Sequence, residues 1–422
     1  MDTETTKSPP KEPSKYGTFS GVFVPNVLTI LGVILFMRSG WVVGQAGVYN
    51  TLIILLIANT ISLLTALSLS AIATNTKVGG GGAYFLISRS LGLEIGGSIG
   101  VPLFLAQAVS VAFYIIGFTE SLTAFFPEMD TRLIAMCTLV IIFGVSWVSS
   151  DLAIKAQNLI LIVLVLSLLS FFFGFKPGNF LSENWSASYA PGFDFWMVFA
   201  IFFPAVTGVM AGASMSGDLK DPSKSIPKGT LWAVIITFIV YAGQILWLGK
   251  SAPRADLVGN ALVMEEISAF GPLIYAGLWA ATISSAIASL LGAPRTLQAL
   301  AMDGVFPRFL AKKSGPKGEP RMALIVSGLL AAACIILGDL NLIAPIISMF
   351  FLATYGMVNL VAGIERWVAN PSFRPTFKVR GIFSIAGAAG CMFVMFLWNP
   401  WASIAAAALM LGLYVFLTTR QY

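Results

Sequence analysis

The polar side chains inside the longest apolar segments of this chain are mostly neutral, and several of them carry hydroxyls. A hydroxyl both donates and accepts hydrogen bonds, so it can bind a cation or an anion. The hydroxyls in a position to do so belong to Thr29, Tyr114, Thr207, Ser284, Ser285 and Tyr355. Apart from Arg38 and Glu120, near the ends of their segments, Lys, Arg, Asp and Glu occur in the apolar segments only within three residues of a segment end. A charged ligand there would be held by neutral dipoles, carbonyl oxygens for a hard cation and free N–H groups at helix N-termini for an anion.

The side chains most often used in catalysis and in metal binding are missing or isolated. The chain has no histidine, which removes the usual proton shuttle and the usual ligand of transition metals. The apolar segments offer no titrating carboxylate for proton coupling, which argues against a proton-driven pump or antiporter and against a cationic amino-acid ligand. Cys137, Cys334 and Cys391 all lie in apolar runs, and we interpret them as small packed side chains rather than a disulfide frame or a metal site.

Two apolar segments carry a matching interruption. The stretch "VFVPNV" beginning at Val22 resembles "IFFPAV" beginning at Ile201, and Pro25 and Pro204 occupy the same place in each. Proline removes a backbone donor, and Gly208 downstream weakens a helix further. Inside hydrocarbon an unpaired backbone group costs several kcal/mol, so such a break must be buried in protein or line a cavity.

The two interrupted segments run in opposite directions across the membrane, which indicates inverted repeats. Matching breaks in two halves of a chain are typical of a transporter's substrate site. The alternative interpretation is that both are proline-kinked packing helices with contacts between small residues.

Long apolar segments dominate the chain. Its residues are 57% hydrophobic and 10% charged, against about 25% charged in an average soluble domain, and a membrane-crossing helix needs about 20 apolar residues. We therefore predict an all-α polytopic membrane protein with twelve transmembrane helices. The predicted spans are 20–45, 48–74, 95–126, 132–149, 153–175, 194–217, 228–249, 270–292, 321–338, 341–367, 381–397 and 399–419.

Twelve spans put both ends of the chain on one side of the membrane. Of the 25 Lys and Arg residues, 20 fall in the ends and loops on that side, while the acids divide almost evenly. The positive-inside rule therefore predicts cytoplasmic termini, and it explains the pI near 9.2 better than nucleic-acid binding does. Residues 1–16 are polar and proline-rich and predict a disordered cytoplasmic tail. The chain ends soon after the last span, and we expect no soluble domain after it.

The glycine run from Thr76 to Gly92 could suggest a phosphate-binding loop. No Gly-Lys-Ser/Thr follows it, and the P-loop spacing fails. We interpret it as a tight re-entrant or cytoplasmic turn beside a permeation path.

Four stretches together resemble the cation–chloride cotransporters. They are "VPNVLTILGVILFMRSGWVVGQAG", "GGGGAYFLISRSLG", "FFPAVTGVMAGASMSGDLKDPSKSIPKGT" and "GAPRTLQALAMDGVFP". The similarity covers about residues 17–420 and is closest to the sodium-coupled, Na-K-Cl type branch of that family, within the amino acid–polyamine–organocation superfamily. It implies a LeuT-type fold with five-plus-five inverted repeats and broken helices 1 and 6. Residues 17–176 and 177–370 would form the two repeats, and 371–422 would form helices 11 and 12 with a short cytoplasmic end.

The resemblance also implies which residues bind ions. Potassium would be bound by Thr29, Ile30, Tyr114, Pro204 and Thr207. Chloride would be bound at the backbone amides of Gly32, Val33 and Ile34, and at those of Gly208, Val209 and Met210 with the Tyr355 hydroxyl. Sodium would be bound by Ala281, Ser284 and Ser285 with the carbonyls of Leu28 and Leu31. Arg38 and Glu120 match a pair that closes the outer vestibule. Position 29 departs from the family, which has asparagine there.

The resulting hypothesis is a secondary symporter of the cell membrane, and not an enzyme, that couples Na+, and K+ with it, to Cl− by alternating access. Moving one charge across the membrane involves about 2.3 kcal/mol per 100 mV, and equal numbers of cations and chloride ions cancel this term. The expected ligands are the transported ions, with no cofactor and no other metal. Membrane lipids are expected partners, nucleic acid is not, and a homodimer is compatible with the sequence.

Two other classes of protein stay open at this point. A sodium-coupled symporter of a small neutral amino acid would use the same fold, but it predicts a glycine-rich first break with room for a carboxylate. Here Gly32 stands alone between Leu31 and Val33. A non-transporting membrane scaffold would not need two matched breaks.

Overall fold

The chain folds into a bundle of helices. The computed structural model describes residues 16–420 except 76–81, 124, 127, 149–150, 175–177, 215, 217–218 and 313–318. The regular structure of these residues is helical, and an isolated parallel bridge joins Tyr16 to Leu219. The α-helices are α1 (Val24–Ile30), α2 (Val33–Met37), α3 (Ser39–Ala73), α4 (Gly82–Leu91), α5 (Leu93–Leu122), α6 (Thr131–Val148), α7 (Asp151–Phe172), α8 (Leu181–Asn184), α9 (Phe195–Phe202), α10 (Ala211–Ser214), α11 (Pro222–Ser251), α12 (Arg254–Gly259), α13 (Val263–Ile267), α14 (Pro272–Met302), α15 (Arg321–Leu337), α16 (Leu340–Trp367), α17 (Gly381–Trp398) and α18 (Pro400–Arg420).

Apolar helices occur at all the predicted spans. Among the described residues, eight helical segments are long and apolar enough to cross a membrane. They are Phe19–Met37, Ser39–Ala73, Leu93–Leu122, Pro222–Ser251, Pro272–Met302, Leu340–Trp367, Gly381–Trp398 and Pro400–Thr419. The shorter apolar helices are Thr131–Trp147, Ala156–Phe172, Phe195–Val206 and Arg321–Leu337. The chain is therefore an integral, multi-pass membrane protein.

The predicted boundary between the first two spans, at residues 46–47, is a kink inside α3. Gly47 has φ 72° and ψ 163°, and helical geometry continues on both sides of it. A Cβ at this position would lie 2.5 Å from the backbone carbonyl carbon of Ser186. Glycine is needed here both for the positive φ angle and for the close approach of the loop after α8.

The first predicted break is present between α1 and α2. A π-helical turn, Phe19–Phe23, precedes α1, since Pro25 cannot donate a regular helical hydrogen bond. Helical geometry then stops at Leu31 (φ −83°, ψ 53°) and Gly32 (φ −97°, ψ −144°). A Cβ on Gly32 would lie 3.2 Å from the Thr29 carbonyl oxygen, so a larger residue would crowd the break.

The second predicted break lies between α9 and α10. A 3₁₀ turn, Phe203–Val206, carries Pro204 and ends α9. Thr207 is then extended (φ −78°, ψ 173°), and Gly208 has φ +103°. A residue with a Cβ rarely adopts that φ, so glycine fixes the place at which the helix is interrupted.

Polar side chains on neighbouring helices donate hydrogen bonds to backbone carbonyls at and near the two breaks. Tyr241 of α11 donates to the Ile30 carbonyl at 2.9 Å, and Gln244 of α11 donates to the Leu35 carbonyl at 2.6 Å. Ser62 of α3 donates to the Val206 carbonyl at 2.7 Å. All these residues are buried, so the breaks lie within protein, as an interruption inside a membrane requires.

Helices α5 and α14 pack side by side and run in opposite directions. Near one end Ser121 accepts a hydrogen bond from Trp279 at 2.8 Å. Near the other end Gln107 accepts one from Thr296 at 2.8 Å and lies against Gly292. The end of α5 therefore lies beside the start of α14, and residues before Ser121 in α5 face residues after Trp279 in α14.

Two helices are longer than the predicted spans. The prediction began span seven at 228, but α11 begins at Pro222, because Asp221 caps it by accepting the Lys224 N–H and proline suits the first turn. The prediction ended span eight at 292, but α14 continues through Pro294 to Met302. Arg295 therefore lies inside a helix rather than in a loop.

Candidate functional site

The two breaks meet in the middle of the bundle. A Cβ on Gly208 would lie 2.7 Å from Cγ2 of Thr29, so the Thr29 side chain packs directly on the second break. Asn26 of α1 adds a polar link, because its Oδ1 accepts the Gly212 N–H at 2.7 Å. Its Nδ2 donates to Oγ1 of Thr230 in α11 at 3.1 Å. Sequence reasoning did not identify Asn26, whose partners lie about two hundred positions away.

The residues predicted to bind potassium lie around these breaks in two groups. In the first, Tyr114 of α5 donates its hydroxyl to the Thr29 carbonyl at 3.4 Å, and the Ile30 carbonyl accepts from Tyr241. The Thr29 hydroxyl itself donates to the Pro25 carbonyl at 2.8 Å. In the second group, Thr207 donates both its N–H and its hydroxyl to the Pro204 carbonyl, the hydroxyl at 2.8 Å. The oxygens are thus near the breaks, and each of the three predicted carbonyls already accepts a hydrogen bond.

The residues predicted to bind sodium come together between α1 and α14. Ser285 donates its hydroxyl to the Leu28 carbonyl at 3.3 Å. Ala281, one turn earlier on the same face, is fully buried, and Ser284 lines a cavity. Leu31 follows the last residue of α1, at the point where helical geometry stops. The arrangement places hydroxyl and carbonyl oxygens side by side between α1 and α14.

The backbone amides predicted to bind chloride lie at the two breaks. Gly32, Val33 and Ile34 form the start of α2, where the first N–H groups of a helix lack acceptors in their own helix. Gly208 to Met210 occupy the corresponding place ahead of α10.

Tyr355 of α16 lies at the second of these places. Its side chain is fully buried, and its ring packs edge-on against Phe203 in the 3₁₀ turn ahead of the second break. Its hydroxyl makes no regular hydrogen bond to any group in the described part of the chain. A buried hydroxyl without a regular partner is costly, so this group is available to a ligand.

Arg38 and Glu120 form the ion pair that the sequence predicted at one end of the bundle. Arg38 Nη2 lies 2.9 Å from Glu120 Oε2, and both side chains are largely buried. Asn341 at the start of α16 accepts from Arg38 Nε at 2.9 Å. Sequence reasoning missed Asn341, which completes a link between the ends of α2, α5 and α16.

A second ion pair lies at the opposite end of the bundle. Arg89 of α4 and Asp303, just after α14, are 3.0 Å apart, and Tyr84 donates its hydroxyl to the same carboxylate at 2.9 Å. Burial, followed by the charge of Asp303, raises the pKa of Tyr84, so its hydroxyl stays protonated and donates. The predicted glycine-run turn only partly lies within the described residues, since 76–81 fall outside them, and Gly82–Leu91 is helical.

A cavity of about 100 Å³ lies between the breaks and this second end. Thr29, Gly208 and Ser284 line its inner part. Toward the second end it is lined by Gln107, Gln157, Ser289 and Arg295. Among the described residues that line the cavity, Arg295 is the charged one. The predicted span ends at residue 292, so the sequence pattern placed Arg295 in a loop.

The model of the amino acid permease family matches residues 21–422. Solute carrier family 12 member 2 from Mus musculus is 39% identical over 471 residues, covering 96% of this chain and 39% of that protein. Solute carrier family 12 member 1 from Homo sapiens is 38% identical, covering 96% of this chain and 43% of that protein. The chain thus spans about two-fifths of the length of these relatives.

The chain is a bundle of apolar helices with two buried breaks, and one family model matches nearly its whole length. It therefore belongs to the amino acid permease family. Within that family, its similarity to members of solute carrier family 12 confirms the resemblance to the cation–chloride cotransporters that four sequence stretches predicted.

Proposed function

We propose that this protein is a secondary symporter that couples Na+, and K+ with it, to Cl− across the membrane. The observation that supports this most is the Ser285 hydroxyl donating to the Leu28 carbonyl at the end of α1. This contact brings a hydroxyl of α14 and a carbonyl of α1 together beside a backbone interruption, and oxygen ligands of this kind suit a small hard cation.

We extend the proposal to the architecture. Eight long and four shorter apolar helices are consistent with twelve crossings. The breaks after α1 and α9 fit a LeuT-type arrangement with repeats at 17–176 and 177–370, followed by 371–422 with the last two helices. The excess of Lys and Arg on one side supports cytoplasmic termini.

The anion is proposed to bind where backbone N–H groups and a hydroxyl converge. Tyr355 is fully buried beside Gly208 and has no regular hydrogen-bond partner among the described residues. Chloride accepts hydrogen bonds from N–H and O–H donors, and a neutral donor set of this kind binds it without a fixed counter-charge. The amides of Gly32, Val33 and Ile34 would hold a second chloride in the same way.

Alternating access is proposed to use the two ends of the bundle. The Arg38–Glu120 pair is formed at 2.9 Å, and the cavity lies on the other side of the breaks, toward Arg295. This arrangement corresponds to a state in which the outer end is closed. Equal transport of cations and chloride would make the cycle electroneutral.

The experiment is chloride uptake into proteoliposomes that contain the purified full chain. Uptake of labelled chloride should require external Na+, should rise with K+ or Rb+, and should not respond to a membrane potential imposed with an ionophore. Chloride uptake that persists when N-methyl-glucamine replaces Na+ would disprove the proposed coupling. Uptake that follows the imposed potential would disprove electroneutrality.

The alternative of a sodium-coupled symporter for a small neutral amino acid has support from the name of the matched family model. It requires room for a carboxylate at the first break, yet a Cβ on Gly32 would lie 3.2 Å from the Thr29 carbonyl and 3.3 Å from the Tyr114 ring. Sodium uptake driven by glycine or alanine in the same proteoliposomes, without chloride coupling, would favour this alternative.

A further inference from the structure

A groove of about 400 Å³ opens on the surface of the bundle, away from the cavity between the breaks. It lies where the first turns of α11 meet the end of α3 and the loop that precedes α17. Its lining residues are Thr74, Ser223, Lys224, Pro227, Lys228, Leu231, Trp232, Ile235, Thr376 and Phe377. None of them lines the cavity at the breaks, so the groove is a separate feature.

One wall of the groove is held in place by hydrogen bonds to the end of α3. The Thr74 hydroxyl accepts the Phe377 N–H at 3.1 Å. Asn75 accepts the Arg374 N–H at 2.6 Å and donates to the Ser372 carbonyl at 3.3 Å. The loop is therefore fixed against the bundle by hydrogen bonds.

The other wall is one face of α11 that changes character along its length. Lys224 and Lys228, one turn apart, are exposed at its start. Trp232 follows one turn later and is 60% exposed, and Ile235 and Ile239 continue the exposed stripe. On a membrane-facing surface, charged side chains lie in the headgroup region, tryptophan lies at the interface, and aliphatic side chains lie in the hydrocarbon. This face of α11 has the same order.

The charges around the groove are mostly positive. Asp221 is the acid at the start of α11. Its carboxylate pairs with the Lys224 ammonium at 3.2 Å and accepts a hydrogen bond from the Ser223 hydroxyl at 2.7 Å. An ammonium has three N–H donors, so Lys224 keeps others for a ligand. The loop wall adds three cations and no acid between residues 368 and 380, namely Arg374, Lys378 and Arg380. The Lys228 side chain projects from the same face toward solvent.

We propose that this groove binds an anionic phospholipid of the bilayer. The phosphate would be bound by Lys224 and Lys228, with the Thr376 hydroxyl nearby, and an acyl chain would lie along Trp232 and Ile235. A lipid fits this groove better than a soluble phosphate does, because the cationic mouth continues directly into an exposed apolar stripe. Basic residues at the membrane surface are attracted by anionic lipid headgroups.

The test uses the purified full chain in detergent, titrated with short-chain phosphatidylserine or phosphatidylcholine while its thermal unfolding is followed. Phosphatidylserine should raise the unfolding temperature, and phosphatidylcholine should do so less. The double variant Lys224→Gln with Lys228→Gln should weaken the apparent phosphatidylserine affinity by about thirtyfold, at about 1 kcal/mol for each lysine near an anionic headgroup.

A matched control lies on the same helix. Lys250 is an exposed lysine at the far end of α11, beside Trp247, so Lys250→Gln removes one charge without touching the groove. Lys228→Gln should weaken phosphatidylserine binding and Lys250→Gln should not. Equal effects of these two single variants, or an unchanged affinity in the double variant, would overturn the proposal. Stabilisation by inorganic phosphate equal to that by phosphatidylserine would also overturn it, because the apolar stripe would then have no part in binding.

Discussion

The side-chain carbonyl of Asn26 accepts a hydrogen bond from the backbone N–H of Gly212 at 2.7 Å. Asn26 lies in α1 and Gly212 lies in α10, so one amide joins the two interrupted segments across the bundle. The same side chain donates to Thr230 of α11 at 3.1 Å, and all three residues are buried. These three elements are therefore expected to move together.

The substitution Asn26→Leu tests that link. Leucine has a similar volume but leaves the buried Gly212 N–H without its partner, at a cost of about 1–3 kcal/mol. We expect a lower unfolding temperature. Chloride uptake should fall further than the loss of stability alone explains, because α1 and α10 would no longer be joined by a hydrogen bond. The control is Asn50→Leu, since Asn50 makes only a long 3.4 Å bond to Tyr189. Equal behaviour of the two variants would show that the link has no special role.

Tyr355→Phe tests the proposed anion site. The ring and its packing against Phe351 are kept, while one hydroxyl donor is lost. A hydrogen bond to a charged group contributes about 1.5–3 kcal/mol, so the chloride affinity should weaken roughly ten- to a hundredfold. The measurement is chloride-dependent sodium uptake over a range of chloride concentrations, with Tyr414→Phe on α18 as the control. If the chloride dependence is unchanged, Tyr355 is a packing residue.

Removing both hydroxyls of the serine pair tests sodium coupling. Ser284→Ala with Ser285→Ala would leave a small cation with too few oxygen ligands, so sodium-dependent chloride uptake should be lost. The folded structure should be preserved, because the Leu28 carbonyl loses only one neutral donor at 3.3 Å. Ser289→Ala, which alters the same cavity wall one turn further along α14, is the matched control. A double variant that keeps its sodium dependence would rule out this assignment.

Thr29→Asn tests potassium binding. The Thr29 hydroxyl donates to the Pro25 carbonyl, and its methyl group packs on Gly208, so the wild-type side chain offers a cation only the lone pairs of its single oxygen. An asparagine carbonyl reaches further, and we expect it to raise the rubidium affinity without harming chloride transport. The measurement is rubidium uptake at fixed sodium and chloride, with Thr29→Val as the control for the lost hydroxyl.

Two other results are informative for Thr29→Asn. A loss of transport for every ion would indicate that the longer amide clashes with Gly208 and that Thr29 is a packing residue. No rubidium uptake by either protein would remove potassium from the proposal and leave a sodium–chloride symporter.

The breaks could be predicted from sequence because proline and glycine act locally. Pro204 and Gly208 lack a donor and a Cβ respectively, and both properties can be identified without knowing the fold. Asn26 and Tyr241 could not be found in this way, because their partners lie about two hundred positions away in the chain. Arg295 was missed for a different reason: the apolar pattern fades before α14 ends, although the helix continues.

The register of α5 and α14 has a consequence for ion binding. Tyr114 lies midway between Gln107 and Ser121, and Ser285 lies midway between their partners Gly292 and Trp279. Tyr114 and Ser285, one from each proposed cation site, therefore lie at the same level along the two helices. Two cations in one layer would repel each other strongly where water does not screen them. Chloride held by the N–H groups of the breaks would relieve this repulsion, so each ion should bind more tightly when the oppositely charged ions are already present.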